Sequence, residues 1–288
     1  MTHTTTLARA RGLDGTTLKL IALGLMLLDH IHYFFAFTGA VPGWFSMLGR
    51  LAAPLFLFCA VEGFVHTHSR PRYWLRLWAI AAPMGLLRFF MQYGGLFVRA
   101  DGFYPQNGFL SNLVLLVPIW QGIDWLRQRR FARGAAAIVL PLAWPFVLIG
   151  LYGLARGDGG GWLPETVVAA VGYSVLPCWN FIADGGLTYI IGGVLLYLFR
   201  RVRGAQLGVW AVWTFATEFV SVFLALRGSA GFALSQMFTT YYEWFSVAAV
   251  ALMALYNGRR GAGCKRLFYW FYPAHIYILY AISFVLCA

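Results

Sequence analysis

Long apolar runs, separated by short connections, repeat along the whole chain. They cover about Thr17 to Phe37, Ser46 to His66, Leu77 to Tyr93, Phe109 to Leu126, Gly134 to Gly153, Gly185 to Phe199, Leu207 to Leu226, Phe238 to Tyr256 and Leu267 to Leu286. Most approach the roughly 20 residues that a helix needs to cross a bilayer. The pattern therefore predicts an all-α polytopic membrane protein of about nine transmembrane helices. A tenth stretch, Thr166 to Ala183, is apolar but is broken by Gly172, Pro177 and Asn180. If it crosses, the count is ten. Pro83 and Arg88 interrupt the third run, and Pro42 lies in an uncharged turn between the first two.

Composition agrees with this reading. The 288 residues are 60% hydrophobic and 11% charged, where soluble domains carry about 25% charge. The net charge of +12 would suggest nucleic acid in a soluble protein. Here the cations sit in short connections: Arg70 to Arg76, Arg127 to Arg133, Arg200 to Arg203 and Arg259 to Arg266. That is the positive-inside pattern, and it makes nucleic acid an unneeded partner. A cytoplasmic N-terminus and nine spans return all four basic connections to the cytoplasmic side. Counting 166–183 as a span would send Arg200, Arg201 and Arg203 outside, so residues 154–183 are expected to be an external or re-entrant segment. Such backbone is tolerated at membrane depth only where protein or water covers it. The expected organisation is one integral-membrane domain over 1–288 in a bacterial inner membrane. A basic cytoplasmic tail over 1–16 leads into an uncleaved anchor. Cys59, Cys178, Cys264 and Cys287 show no paired spacing, so neither a disulfide framework nor a zinc site is expected.

The first run breaks the rule of its kind by holding Asp29 and His30 well inside apolar sequence. Ionisable groups at that depth are costly and mark function by default. Lys19 and His30 are eleven residues apart. That is about three turns, so both lie on one stripe, about 16 Å apart along the axis. Asp29 points about 100° away, toward a neighbouring helix. Arg50 and Glu62 bracket the second span, Arg88 lies in the third, Asp184 opens the sixth, and Glu218 and Glu243 lie in the seventh and eighth. His275 follows Tyr272-Pro273 in the last. Glu62 and Glu243 are suited to pairing with Arg50 or Arg88, and Asp184 to a helix N-terminus. Arg72 and Arg76 are four apart on one helix face. No phosphate-binding glycine loop, dinucleotide fingerprint, HExxH or Gly-x-Ser-x-Gly stands in a suitable context, and no metal site is expected.

Lys19-Leu-Ile-Ala-Leu-Gly-Leu-Met-Leu-Leu-Asp29-His30 resembles the opening motif of the TraX family, membrane proteins associated with acetylation of conjugative pilin. The resemblance extends to Gly49-Arg50-Leu-Ala-Ala-Pro54 through Glu62-Gly63-Phe64, to Arg72-Tyr73 with Leu75-Arg76, to Asp184-Gly-Gly-Leu, and to Phe268-Tyr-Trp-Phe-Tyr272-Pro273-Ala-His275. Residues from about 95 to 180 match weakly. The opening is also similar to the wider acyltransferase-3 superfamily, with Leu13-Asp14-Gly15 in place. Lys19 stands where that group has an Arg, which keeps the charge but not the bidentate fork. Its ten core helices exceed the nine counted here. The resemblance implies an acyltransferase-3-like bundle around a polar central site. It also implies transfer of acetyl from acetyl-CoA to an acceptor at the membrane, the amino terminus of a small pilin.

The residues suit that chemistry. Lys19, Arg72 and Arg76 can hold the CoA phosphates. His30 can act as general base or transient acetyl carrier, and Arg50 or Arg88 can stabilise the oxyanion. Asp29, His275 and Tyr272 complete the expected catalytic set, with Glu62, Asp184 and Glu243 as further polar site residues. Three alternatives are carried: O-acetylation of a glycan or lipid, a proton-coupled transporter without covalent chemistry, and a membrane scaffold. No repeated halves with matching broken helices support transport, and a scaffold gains little from buried charges.

Overall fold

The computed structural model describes residues 12–156, 165–180 and 182–287. Residues 1–11 of the expected tail, and 157–164 of the expected external segment, lie outside it. The regular structure of the described residues is helical, joined by turns and irregular connections, with one isolated parallel bridge, Leu13 to Tyr256. In order, the helices are α1 (Gly15–Phe35), α2 (Trp44–Gly49), α3 (Ala52–Val65), α4 (Arg70–Gly94), α5 (Phe109–Arg127), α6 (Phe131–Arg156), α7 (Glu165–Ser174), α8 (Gly186–Leu198), α9 (Arg203–Thr214), α10 (Ser221–Leu226), α11 (Gln236–Thr239), α12 (Ala249–Ala254) and α13 (Lys265–Leu286).

Among the described residues, seven helical stretches are long and apolar enough to cross a membrane: Gly15–Thr38, Trp44–Val65, Arg70–Gly94, Phe109–Arg127, Phe131–Ala155, Arg203–Leu226 and Arg266–Leu286. Two shorter apolar helices, Gly186–Leu198 and Tyr242–Ala254, occupy the other two predicted spans. At 13 residues, α8 extends about 20 Å, short of a hydrocarbon core of about 30 Å. In the broken stretch, the described helix α7 has 10 residues.

The chain folds as two compact units. Unit 1 comprises Met1–Gly63 and Leu195–Leu279; unit 2 comprises Phe64–Val194 and Tyr280–Ala288.

In unit 1, Asp14 caps α1 by accepting from the Thr17 amide at 2.8 Å, the usual satisfaction of an orphan helix donor. Leu18, Ala22, Met26, His30 and Phe34 are buried. Their spacing of four puts them on one face. The chain before α1 is clasped to the loop after α12. Leu13 N–H donates to the Leu255 carbonyl at 2.8 Å, Asn257 N–H to that of Leu13 at 2.9 Å, and Gly15 N–H to that of Arg259 at 2.8 Å. The Thr16 hydroxyl donates to Arg260 and Ala262 carbonyls. The chain is thus held in place before the expected start of the first span, and the Leu13-Asp14-Gly15 motif serves this clasp. A Cβ at Gly12 would overlap the Leu255 carbonyl oxygen. The second span is broken between α2 and α3, where Arg50 and Leu51 form a turn. The stretch from Arg203 to Leu226 contains a π-turn at Phe215–Val220, a wider coil that inserts an extra residue into the helix.

In unit 2, α5 is the core. Leu113 to Val117, Ile119 and Trp120 are all buried. Close approaches rest on missing side chains. A Cβ on Gly122 would press on the Gly134 carbonyl of α6, and one on Gly85 would overlap the Tyr173 carbonyl. The irregular stretch after α7 draws donors from neighbouring helices. Trp78 Nε1 donates to the Val175 carbonyl at 2.6 Å and Trp144 Nε1 to that of Leu176 at 2.7 Å. Arg88 Nη1 donates to the Ile182 carbonyl at 3.3 Å.

Candidate functional site

His30 and His275, 245 residues apart in sequence, meet in unit 1. His275 Nε2 lies 3.1 Å from His30 Nδ1, and both side chains are about 6% exposed. Each imidazole also reaches the carbonyl one turn back on its own helix. His30 Nδ1 is 2.9 Å from the Met26 oxygen and His275 Nδ1 is 2.7 Å from that of Phe271. A carbonyl only accepts, so His275 carries its proton on Nδ1 and presents a lone pair at Nε2. His30 Nδ1 must then be the donor, shared between Met26 and His275. This leaves Nε2 of His30 as the basic nitrogen, a tautomer assignment that follows from the hydrogen-bond network.

Aromatic rings fix the pair in place. Phe271 stacks on His275 with centroids 4.7 Å apart, Tyr272 meets it edge-on at 5.9 Å, and Phe34 stacks on His30 at 6.1 Å. Pro273 in α13 lacks the N–H that would bond the carbonyl of residue 269, so the helix is loosened one turn from His275.

Asp29 turns to α2. It accepts from Ser46 Oγ at 2.9 Å and from Arg50 Nη2 at 3.1 Å. Arg50 Nη1 pairs with Glu243 at 3.0 Å, and its guanidinium lies 5.7 Å from the Tyr242 ring centroid. One cation thus spans two carboxylates. Gly49 allows the approach, since a Cβ there would overlap Asp29. Ser46, which sequence reading did not single out, stands one turn before Arg50. Glu218 lies in the π-turn, in electrostatic reach of Glu243.

Glu62 pairs with Arg203 at 3.5 Å, a partner outside the two arginines proposed for it from sequence. Arg203 in turn donates to Gln206 at 2.8 Å and lies over Phe58 and Tyr256. Lys19 is half-buried, 5.7 Å from the Phe268 ring centroid on α13. Unit 1 therefore brings together His30, His275 and Tyr272, and gathers Asp29, Arg50 and Glu243 in one network.

Arg72, Arg76, Arg88 and Asp184 belong to unit 2. Arg72 and Arg76 are exposed near the start of α4. Their neighbour Arg70 is committed, to Asp124 at 2.8 Å and Gln121 at 2.8 Å. Arg88 donates to the Gln106 carbonyl at 2.8 Å. Asp184 accepts from Gly108 N–H at 2.9 Å, securing the start of α5. A cavity of about 530 Å³ lies beside Arg88 and Asp184, and the Asp184-Gly-Gly-Leu motif supplies part of its wall. Among the described residues, no cluster of three or more His, Cys, Asp or Glu is arranged to hold a metal ion.

The family model described as "TraX protein" matches residues 14–155 and 166–283. The chain belongs to the TraX family. It is also similar to a probable fimbrial assembly protein FimC, serogroup H1, of Dichelobacter nodosus. The identity is 27% over 276 residues, covering 91% of this chain and 92% of that protein. No solved structure matches. The matched ranges include Asp29, His30, Arg50, Tyr272 and His275.

Proposed function

We propose that this TraX-family protein is a membrane-embedded acetyltransferase that moves acetyl from acetyl-CoA to the amino terminus of a pilin subunit. The observation that carries the reading is the His30–His275 pair, with its basic nitrogen on His30 Nε2. The fimbrial-assembly name of the relative supports a pilus setting for the acceptor, and the acyltransferase-3 resemblance supports the reaction class.

In this mechanism His30 Nε2 takes a proton from the acceptor ammonium or from the attacking amine. The amine nitrogen forms a bond to the acetyl carbon, the carbon–sulfur bond breaks, and the CoA thiolate leaves and is protonated. His275 accepts at Nε2 from His30 Nδ1 and stabilises the imidazolium that forms, while the Met26 and Phe271 carbonyls hold the rings in register. Arg50 carries charge suited to a developing oxyanion, and Lys19 in the same unit is suited to a CoA phosphate. The fit of the co-substrate rests on that chemistry: a half-buried cation and an aromatic-walled imidazole pair in unit 1.

The test is acetyl-CoA binding, and CoA release in the presence of a peptide with an unblocked amino terminus, for the purified protein. His30→Ala should bind acetyl-CoA normally and lose about 10²–10⁴-fold in turnover. His275→Gln should lose less. A folded His30→Ala protein at full activity would remove the reading. A second reading, proton-coupled transport, draws on the Asp29–Arg50–Glu243 network and on Glu218 in a π-turn. Proton flux in vesicles without acetyl-CoA turnover would favour it.

A further inference from the structure

Unit 2 contains a cavity of about 530 Å³, a volume ordinary for a small-molecule site. Its lining includes Arg88, Gln106, Trp179, Asn180, Asp184 and Leu187. It lies at the Gly108 end of α5, opposite the arginines at 127–133, separated by about 28 Å of helix. None of its residues comes from the histidine site.

The charged groups of the lining are held by backbone. Arg88 is tied to the Gln106 and Ile182 carbonyls, and its guanidinium lies 5.9 Å from the Tyr173 ring centroid. Asp184 takes the Gly108 amide, and Asn112 Nδ2 donates to the Asp184 carbonyl at 2.7 Å. Trp179 spends its indole N–H on the Leu142 carbonyl at 2.9 Å, which fixes the plane of a ring that lines the space. The bends that shape the wall need left-handed backbone, supplied by Gly185 and Gly186 at φ +67° and +48°. The site is therefore built before any ligand arrives.

Its chemistry selects a ligand class. One guanidinium and one carboxylate cancel, so the lining does not favour a net ion as a cleft of one sign would. Arg, Asp, Asn and Gln are planar side chains with paired donors or acceptors, the kind of group that binds sugar hydroxyls. The indole offers a flat apolar surface for the C–H face of a saturated ring. We propose that this cavity binds a neutral, hydroxyl-rich ring of one or two sugar units, such as an uncharged glycan headgroup. The proposal does not rest on the acetyl-transfer reading.

The experiment uses the full-length protein in a detergent without a sugar headgroup, with saturation-transfer NMR as the readout. The probes are methyl β-D-glucopyranoside, methyl β-D-galactopyranoside and N-acetylglucosamine, with glucuronate and alanine amide as charged comparators. Wild type should give saturation transfer with at least one neutral sugar at millimolar concentration. Trp179→Ala and Asn180→Ala should each weaken it at least fivefold. Asn180 is exposed, so its variant keeps the test sound if Trp179→Ala unfolds. Three results would overturn the proposal: no neutral sugar binds, sugar binding is unchanged in Asn180→Ala, or alanine amide or glucuronate binds in preference to every neutral sugar.

Discussion

The two units handle polar groups within apolar sequence in opposite ways. In unit 1, side chains hold side chains across helices: His30 with His275, Asp29 with Ser46 and Arg50, Arg50 with Glu243, Glu62 with Arg203. In unit 2, side chains mostly hold backbone. Five indoles donate to carbonyls: Trp74 to Val114, Trp78 to Val175, Trp120 to Gly193, Trp144 to Leu176 and Trp179 to Leu142. Arg88 and Asp184 do the same work. The difference follows from the backbone. Unit 1 presents its functional groups from helices whose peptide groups are already satisfied, so its polar side chains can face one another. Unit 2 carries non-helical chain over 175–180 and 182–185, and peptide groups in an apolar surround must be paired. Trp78, Trp144 and Arg88 serve carbonyls of that chain, while Trp74, Trp120 and Trp179 reach carbonyls within helices.

This contrast can be broken by substitution, and the largest effect should come from Arg50. Arg50→Leu leaves Asp29 and Glu243 without their shared cation. The cost should be about 2–3 kcal/mol, below that of a fully buried pair because Glu243 is half exposed. A thermal melt of the purified protein reads it. Adding Asp29→Asn should recover part of the loss, because a side-chain partner can be neutralised. If the double variant is no better than the single, the network is not what holds α2 to α1.

Gly108→Ala should cost about 2 kcal/mol, since its Cβ would overlap the Ile182 carbonyl. The same melt checks it, and an unchanged midpoint would mean that the chain around Ile182 does not pack against α5 as described. Trp144→Phe should cost about 1–2 kcal/mol by orphaning the Leu176 carbonyl. Unlike the Arg50 case, no second side-chain substitution can neutralise that partner, so a partial rescue would weaken the comparison. Hydrogen exchange across 175–180 should rise in this variant.

The smallest effect is a pH dependence in the loop after α4. The Arg99 guanidinium, hydrogen-bonded to Asp101 at 2.8 and 2.5 Å, holds the Asp101 carboxyl down to about 2. A folded value below the unfolded one of about 4 contributes stability that is fully present above pH 4. That contribution is lost as pH falls through about 2. Asp101→Asn should remove the difference between melts at pH 5 and pH 3 that this pair supplies. An identical difference in both proteins would assign the acid sensitivity elsewhere.

The fold was largely legible because hydropathy and basic connections are local signals. The first span was read as Thr17 to Phe37, against Gly15–Thr38 observed, and the fourth as Phe109 to Leu126, against Phe109–Arg127. Within the stretch at 166–183, expected to be external or re-entrant with a tenth span left open, the described helix is α7, of 10 residues. The break at Arg50 coincides with Pro54, which has no N–H for the carbonyl of residue 50; the π-turn at 215–220 left no mark in Gly or Pro.

The sequence by itself determined that this is a multi-span helical protein, where its long apolar runs lie, and that His30 shares one stripe of the first with Lys19. Helical periodicity and length in residues suffice for that. Only the tertiary structure decided that His30 meets His275, that Asp29 and Glu243 share Arg50, and that Glu62 takes Arg203 instead. These partners come from elements up to 245 residues apart, and no local pattern encodes which of several cations a buried carboxylate will find. The cavity of unit 2 belongs to the same class. It is made by loops whose carbonyls are satisfied from distant helices, so its shape exists only once those helices have packed.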